Sequence, residues 1–365
     1  MSSSAAAFED HYELIAPFKG YHKKALAARQ DVLSSRHPAL SDSMDVLDDG
    51  GLPSRVADLM VENCIGKLAL PMGVAPNFVV NGRQYIVPMC TEEPSVIAAA
   101  SNAAKLVATC GGFHGVSTRN LMTAQVQLLD VKDARKAVSL IHANRAKLMD
   151  AARQFCLSME KRGGGVVDLS ARVVRPRATP GRAARHQRPY VVVHIQVDVC
   201  EAMGANKING VAEGVAPELA RLVGGRPGLR ILTNLCVERR SIVSFRIPVS
   251  KLAWKGVSGK DVADRILEAY YFAVDDPFRA ATNNKGVMNG MDAVAIATGQ
   301  DWRAVEAGAH TWCARRGHYE PLAHYELHDG VQGEEPVLVG RLEMPLSIGT
   351  NVCVGVHVWC ACVCV

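Results

Sequence analysis

The spacing of apolar positions changes along the chain, and each change marks an element. Leu121 to Val131 sets β-branched and apolar residues against alternating glutamines, the two-residue period of a strand. Val138, Ile141, Leu148, Ala152, Phe155 and Met159 then recur at spacings of three, seven, four, three and four, which predicts one continuous helical face over 132–161. Gly163-Gly164-Gly165 stops it. Strands are predicted at Val166–Val174 and Tyr190–Val199, a helix at 204–223 ended by Gly224-Gly225, and a last strand at Leu229–Leu235. The order β-α-β-β-α-β is the split-βαβ, ferredoxin-like pattern, a sheet with two helices on one face.

The flanks of this unit do not read as complete domains. Residues 1–60 look polar and helical, broken near His37-Pro38 and at Gly50 to Pro53, and 54–68 continue as an amphipathic helix to Gly66. Asn81-Gly82 between Phe78–Val80 and Arg83–Val87 is a strong hairpin signal. Glu93-Pro94-Ser95 opens a small-residue stretch, Val96 to Thr109, whose alanines suit a buried helix. Beyond 236 come a strand (Ser241–Val249), a helix (Lys260–Phe272), two helical stretches (Asn283–Thr298, Trp302–Arg315) and strands around the loop Asp329–Glu335. The fold class expected is α+β: a discontinuous, helix-rich large domain (1–119 and 236–350) with a ferredoxin-like coenzyme-binding domain (120–235) inserted, then a tail, 351–365.

Composition narrows the class. The chain has 365 residues, 48% of them apolar, and a net charge of +5. So mild an excess favours anionic ligands without indicating nucleic acid. Six arginines (172, 175, 177, 182, 185 and 188) crowd one stretch that has no acid, either a solvated loop or a contact for nucleotide or coenzyme A phosphates. Of eleven cysteines, seven are scattered with no Cys-x-x-Cys pair, so no metal site is expected and a reducing compartment, the cytoplasm, fits. The first residues lack an apolar signal-peptide core, and no run of about 18 apolar residues predicts a membrane span.

Five blocks carry candidate chemistry: Glu62-Asn63-Cys64-Ile65-Gly66 with Leu70 to Ala75; Val87 to Val96; Glu201-Ala202-Met203-Gly204-Ala205-Asn206; Asp276 to Gly290; and Ala297 to His310. In order and spacing they resemble class II 3-hydroxy-3-methylglutaryl-CoA reductases, over about residues 15–350. The resemblance implies reduction of a thioester to an alcohol, mevalonate, by two hydride transfers from NADH or NADPH, with release of coenzyme A. It also implies a homodimer with interfacial active sites, the glutamate from one subunit and the coenzyme site from the other.

Carried over residue by residue, the resemblance implies that Lys285 stabilises charge growing on the carbonyl oxygen. It makes Glu93, rather than its neighbour Glu92, the proton donor, with a pKa raised by an apolar site. Asp301 would link the two. Each has a plainer local reading: a surface lysine, a helix first-turn acid and an N-cap. Ser95, Arg279 and Asn289 match positions near the hydroxymethylglutaryl group, where a guanidinium suits a free carboxylate. Glu201, Met203, Gly204 and Asn206 match the coenzyme-binding motif, although its first residue is normally Asp. There a glycine and a helix N-terminus suit a pyrophosphate. Cys156 falls where NADH-preferring members carry an aspartate, so its lack of charge, with the six arginines, points to NADPH. No Gly-x-Gly-x-x-Gly follows a strand, which argues against an unrelated Rossmann dehydrogenase. The alternative is a non-catalytic acyl-CoA- or nucleotide-binding homologue.

The resemblance stops at Thr350. Family members continue into a small domain whose histidine protonates the leaving thiolate, and nothing here matches it. Asn351 to Val365 instead alternates Val and Cys, as a repeated GT dinucleotide would encode. The expectation is an artefactual or alternatively spliced tail replacing that domain and leaving this form impaired. A genuine β-strand is the rival reading.

Overall fold

The computed structural model describes residues 18–48, 51–330 and 335–349. The expectations for the N-terminal residues 1–17, part of the loop 329–335 and the tail 351–365 lie outside them.

Helices α1 (Leu26–Arg36), α2 (Met44–Asp48) and α3 (Ser54–Met60) come first. Helix α3 is shorter than the 54–68 expected. It stops at Met60, and Leu59, Met60, Val61, Ile65 and Leu68 stay exposed. The apolar positions that suggest a longer amphipathic helix find no core in this chain, so packing does not extend the helix. Strands β1 (Met72–Val80) and β2 (Arg83–Cys90) form the expected hairpin. Asn81 and Gly82 have φ of 51° and 75°, the left-handed pair that a tight two-residue turn requires.

Helix α4 (Val96–Ala108) buries only Ala100, Ala104 and Val107. The expected buried helix packs along one stripe, and Ala98 and Ala99 face outward. Strand β3 (His114–Ser117) leads into β4 (Leu121–Leu129). The predicted single helix over 132–161 is three: α5 (Ala134–Ala143), α6 (Arg145–Arg153) and α7 (Leu157–Glu160). Asn144 (φ −104°, ψ 14°) interrupts the first two. The inward face still holds Ile141, Leu148, Ala152 and Met159, but a second break over Gln154 to Cys156 turns the chain, so Cys156 is buried in place of exposed Phe155.

Strands β5 (Gly165–Val174) and β6 (Tyr190–Asp198), helix α8 (Ala205–Val223) and strand β7 (Arg226–Leu232) complete the unit. Strand β7 starts three residues before the predicted Leu229, because Gly224 at φ 66° turns the chain at once. The antiparallel sheet runs β5-β6-β4-β7, the ferredoxin-like order. Its own core lies between that sheet and the helices.

Strand β8 (Arg240–Pro248), helices α9 (Gly259–Asp275), α10 (Pro277–Ala297) and α11 (Trp302–Cys313), and strands β9 (Ala323–His328) and β10 (Val337–Pro345) follow. Helix α10 begins six residues before the predicted Asn283. Asp276 caps it by accepting from the Phe278 N–H at 3.0 Å, and Pro277 sits at N1, where no hydrogen bond is lost. The second four-stranded sheet runs β3-β8-β10-β9. Strand β3, which precedes the ferredoxin-like unit, pairs there with β8, which follows it. The two ends of the insert are tied by Thr118, whose Oγ1 donates to Glu238 O at 2.7 Å and accepts from Arg240 N at 2.8 Å. The α+β class with an inserted ferredoxin-like sheet is what the structure has.

Candidate active site

The site is built where α10 crosses β2. Helix α10 is fixed in rotation by Asn284, a fully buried side chain. Its Oδ1 accepts from Leu322 N at 2.8 Å, and its Nδ2 donates to Glu320 O at 2.9 Å and contacts Cys313 Sγ at 3.4 Å. Burial pushes that thiol up to about 12, so Cys313 is neutral there. With Asn284 turned inward, the next residue, Lys285, emerges at the helix edge.

Opposite it the chain leaves β2 through Thr91 to Ser95. Thr91 Oγ1 accepts from Glu93 N at 3.2 Å, and Ser95 turns the chain into α4 with φ of 72°. This turn presents Glu93 to the helix: Lys285 Nζ donates to Glu93 Oε2 at 2.6 Å. Glu92 makes no such contact among the described residues. The side chains are 61% and 44% exposed, and ion pairs so open stabilise a fold by about 0–1 kcal/mol. The pair is thus not explained by stability. Chemically it sets a cation beside a group able to carry a proton. The apolar burial expected around Glu93 is absent in the single chain, because the alanines after Pro94 turn only one stripe inward.

The remaining candidates divide. Asn289, four residues after Lys285, shares its helix face. Arg279, half-buried and six residues before it, lies about 120° round the helix. Asp301 caps α11, its Oδ1 accepting from Ala304 N at 3.0 Å. Among the described residues no hydrogen bond or ion pair joins Asp301 to Lys285 or Glu93, so the local cap is formed and the expected link is not closed here.

The third block forms the turn from β6 to α8. Gly204 has φ of 92°, and a Cβ there would lie 2.5 Å from Val199 Cγ1, so only glycine fits. Met203 is half-buried, Glu201 and Asn206 are exposed, and among the described residues no side chain caps the first turn of α8. N–H groups at such a helix start suit an anion. In the arginine-rich loop, Arg182 is turned back on the loop, donating to His186 O at 2.8 Å and Arg177 O at 3.2 Å. Cys156 is fully buried among helix and sheet side chains, so its lack of charge faces no ligand directly.

Sequence reasoning missed a polar cluster on the inner side of α10 and α11. His310 Nε2 lies 2.6 Å from Glu306 Oε2, and its Nδ1 lies 2.7 Å from Tyr319 Oη. Asp292, hydrogen-bonded to Glu306, has a buried Oδ1 without a partner. Burial first, then the neighbouring Glu306, push it up to about 8, so this carboxyl holds its proton near neutral pH. The available signal was a lone acid inside the small and apolar run Gly290-Met291-Asp292-Ala293-Val294. Among the described residues no group of three or more His, Cys, Asp or Glu could hold a metal ion. No described helix is long and apolar enough to cross a membrane.

Known proteins resemble this chain in sequence and in fold. The family model described as hydroxymethylglutaryl-coenzyme A reductase matches residues 25–355. The 3-hydroxy-3-methylglutaryl-coenzyme A reductase of Archaeoglobus fulgidus is 37% identical over 332 residues, covering 90% of this chain and 71% of the relative. A probable reductase of Borreliella burgdorferi is 31% identical over 298 residues, 80% of this chain and 63% of that protein. Among solved structures, a class II 3-hydroxy-3-methylglutaryl-CoA reductase from Streptococcus pneumoniae bound to NADPH superimposes with a TM-score of 0.83 at 36% identity, over 94% of this chain and 90% of its own. A match of this extent to the family model, with a relative this similar over most of both chains, leaves one assignment: the chain belongs to the hydroxymethylglutaryl-coenzyme A reductase family.

Proposed function

We propose that this chain reduces the thioester of 3-hydroxy-3-methylglutaryl-CoA to mevalonate, with NADPH as hydride donor and coenzyme A as leaving group. The observation that carries the reading is the contact of Lys285 with Glu93, which the expected chemistry needs and the fold does not. Two NADPH would each supply one hydride, the first to the thioester carbonyl carbon and the second to the aldehyde carbon left once the C–S bond breaks and coenzyme A departs as its thiolate. Lys285 stabilises the negative charge that gathers on oxygen at each reduction, and Glu93 delivers the proton that turns the last alkoxide into the alcohol. Asp301, at the start of α11, is the acid that would join this pair, through a contact the single chain leaves open. Ser95 and Asn289 flank the acyl group, and Arg279 pairs with its free carboxylate.

The turn Glu201 to Asn206 takes the coenzyme, with Gly204 allowing close approach and the α8 N-terminus meeting the pyrophosphate. NADPH rather than NADH is favoured by the arginines of 172–188 and by the NADPH-bound relative. Domain limits at 119/120 and 235/236 follow the tie between Thr118 and Arg240. The exposed apolar side chains Leu59, Met60, Ile65 and Leu68 are the surface a second copy covers, giving a homodimer with interfacial sites. The seven cysteines among the described residues, all free, suit the cytoplasm.

The test follows loss of NADPH absorbance on addition of hydroxymethylglutaryl-CoA. It is run in this chain and in the same chain carrying the C-terminal segment of the Archaeoglobus relative. Substrate-dependent oxidation that Lys285→Met removes is expected in at least one. No oxidation in either, with coenzyme bound, refutes the reading.

A further inference from the structure

After β10 the chain does not turn to solvent. Leu346, Ser347 and Ile348 are 2%, 3% and 6% exposed and run between the Glu201–Asn206 turn and the start of α11. Two side chains hold this segment. Arg239, itself 6% exposed, donates from Nη2 to Ile348 O at 2.5 Å and to Ala202 O at 3.1 Å, and from Nη1 to Met203 O at 3.1 Å. Its own carbonyl accepts from Leu346 N at 2.9 Å. Gln300 makes a reciprocal pair with Gly349: Nε2 donates to Gly349 O, and Oε1 accepts from Gly349 N, both at 2.9 Å. Gly349 lies close against the turn, where a Cβ would stand 3.1 Å from Met203 N.

Such an arrangement is costly if stability is its only purpose. Arg239 is a buried cation whose hydrogen-bond acceptors among the described residues are all neutral carbonyls, and desolvation pushes its pKa down, opposed by Cys236 and then Asp198. Apolar side chains would stabilise a fold equally well. What a guanidinium adds is a planar fork of fixed geometry, able to set two backbone segments at one distance.

We propose that Arg239 and Gln300 are positioning residues that make 346–349 a hydrogen-bonded bridge, setting the Glu201–Asn206 turn against the start of α11, where Asp301 follows Gln300. The proposal rests on reading Glu201–Asn206 as the coenzyme turn and Asp301 as catalytic. The bridge makes the turn sensitive to a side chain that does not touch it. Removing Gln300 frees Gly349, then Ile348, and so loosens the anchor shared with Ala202 and Met203 through Arg239.

The test compares the full chain with Gln300→Ala, Gln300→Glu and Arg239→Lys. Amide hydrogen exchange over 201–206 reads the turn directly, and quenching of NADPH fluorescence reads coenzyme affinity. In Gln300→Ala, exchange over 201–206 and the NADPH Kd should both rise about fivefold or more, a usual size for coupling between sites. Gln300→Glu keeps the acceptor for Gly349 N and should fall between. Arg239→Lys keeps charge but loses the fork and should resemble Gln300→Ala. Unchanged exchange over 201–206 in folded Gln300→Ala overturns the bridge. Accelerated exchange in a protein that never binds NADPH upholds the bridge and removes the coenzyme reading instead.

Discussion

Lys285 and Glu93 stand 192 positions apart in the chain, and their charged groups meet at 2.6 Å. The fold spends two elements on this contact. Asn284 fixes the rotation of α10, and the strained Ser95 directs the end of β2. Both side chains remain open to solvent, so substrate can approach the pair without displacing the core.

Replacing either partner should therefore damage turnover and spare the fold. Lys285→Met and Glu93→Gln are each expected to lower kcat by about a hundredfold or more, the usual loss when a charge-stabilising or proton-donating group is removed. The free energy of unfolding in urea should change by less than about 1 kcal/mol, as for other exposed ion pairs. Steady-state kinetics and equilibrium unfolding check the two halves. A variant that retained wild-type kcat would remove Lys285 or Glu93 from the mechanism.

Ser95 carries backbone strain at the same turn, with φ of 72° in a residue other than glycine. A left-handed residue of this kind costs about 1–2 kcal/mol, of which the freer unfolded chain of glycine offsets about 0.5–1, so Ser95→Gly should stabilise the protein by about 0.5–1 kcal/mol. If the hydroxyl also meets the acyl group, KM for hydroxymethylglutaryl-CoA should rise in the same variant. Higher stability with unchanged KM would leave Ser95 as a turn residue only.

Local chemistry made some of this legible and hid the rest. Asn81-Gly82 encodes its turn in two residues, and the alternation in Leu121–Leu129 survives because one face of that strand is buried. The apolar spacing over 132–161 predicts one helix because it runs on across Asn144 and Cys156, and a periodicity has no term for single residues leaving helical geometry. The residues after Met60 kept a helical spacing with no core to meet. No spacing rule connects positions 93 and 285; only resemblance paired them. The Asp292, Glu306 and His310 cluster was passed over because each member is unremarkable on its own helix and gains its chemistry only where the helices touch.

Asn284 should matter more for stability than either charged residue. It satisfies Leu322 N and Glu320 O inside the core, and Asn284→Ala leaves both without that partner. Each unmet buried group costs about 1–3 kcal/mol, so a loss of about 3 kcal/mol is expected in chemical denaturation. Because the rotation of α10 sets the path of Lys285, kcat should fall in the fraction that remains folded. A loss below about 1 kcal/mol would mean that water replaces both bonds.

Asp292 gives the protein a pH dependence of definite sign. Its carboxyl is raised from the ordinary 3.8 to about 8 by burial and by Glu306, which in turn faces His310. Between those values the folded chain holds the proton and the unfolded chain has lost it. Stability from this group is therefore full below 3.8, falls as pH rises towards about 8, and is level above that. The limiting slope is about 1.4 kcal/mol per pH unit, and partial solvent access shrinks the shift, and with it the energy, to about half. Asp292→Asn keeps the shape of the protonated acid and cannot titrate. Relative to wild type it should gain about 1–2 kcal/mol between about pH 5 and pH 8 in urea unfolding. A difference between the two proteins that stays constant across that range would mean that Asp292 is already ionised in the folded chain.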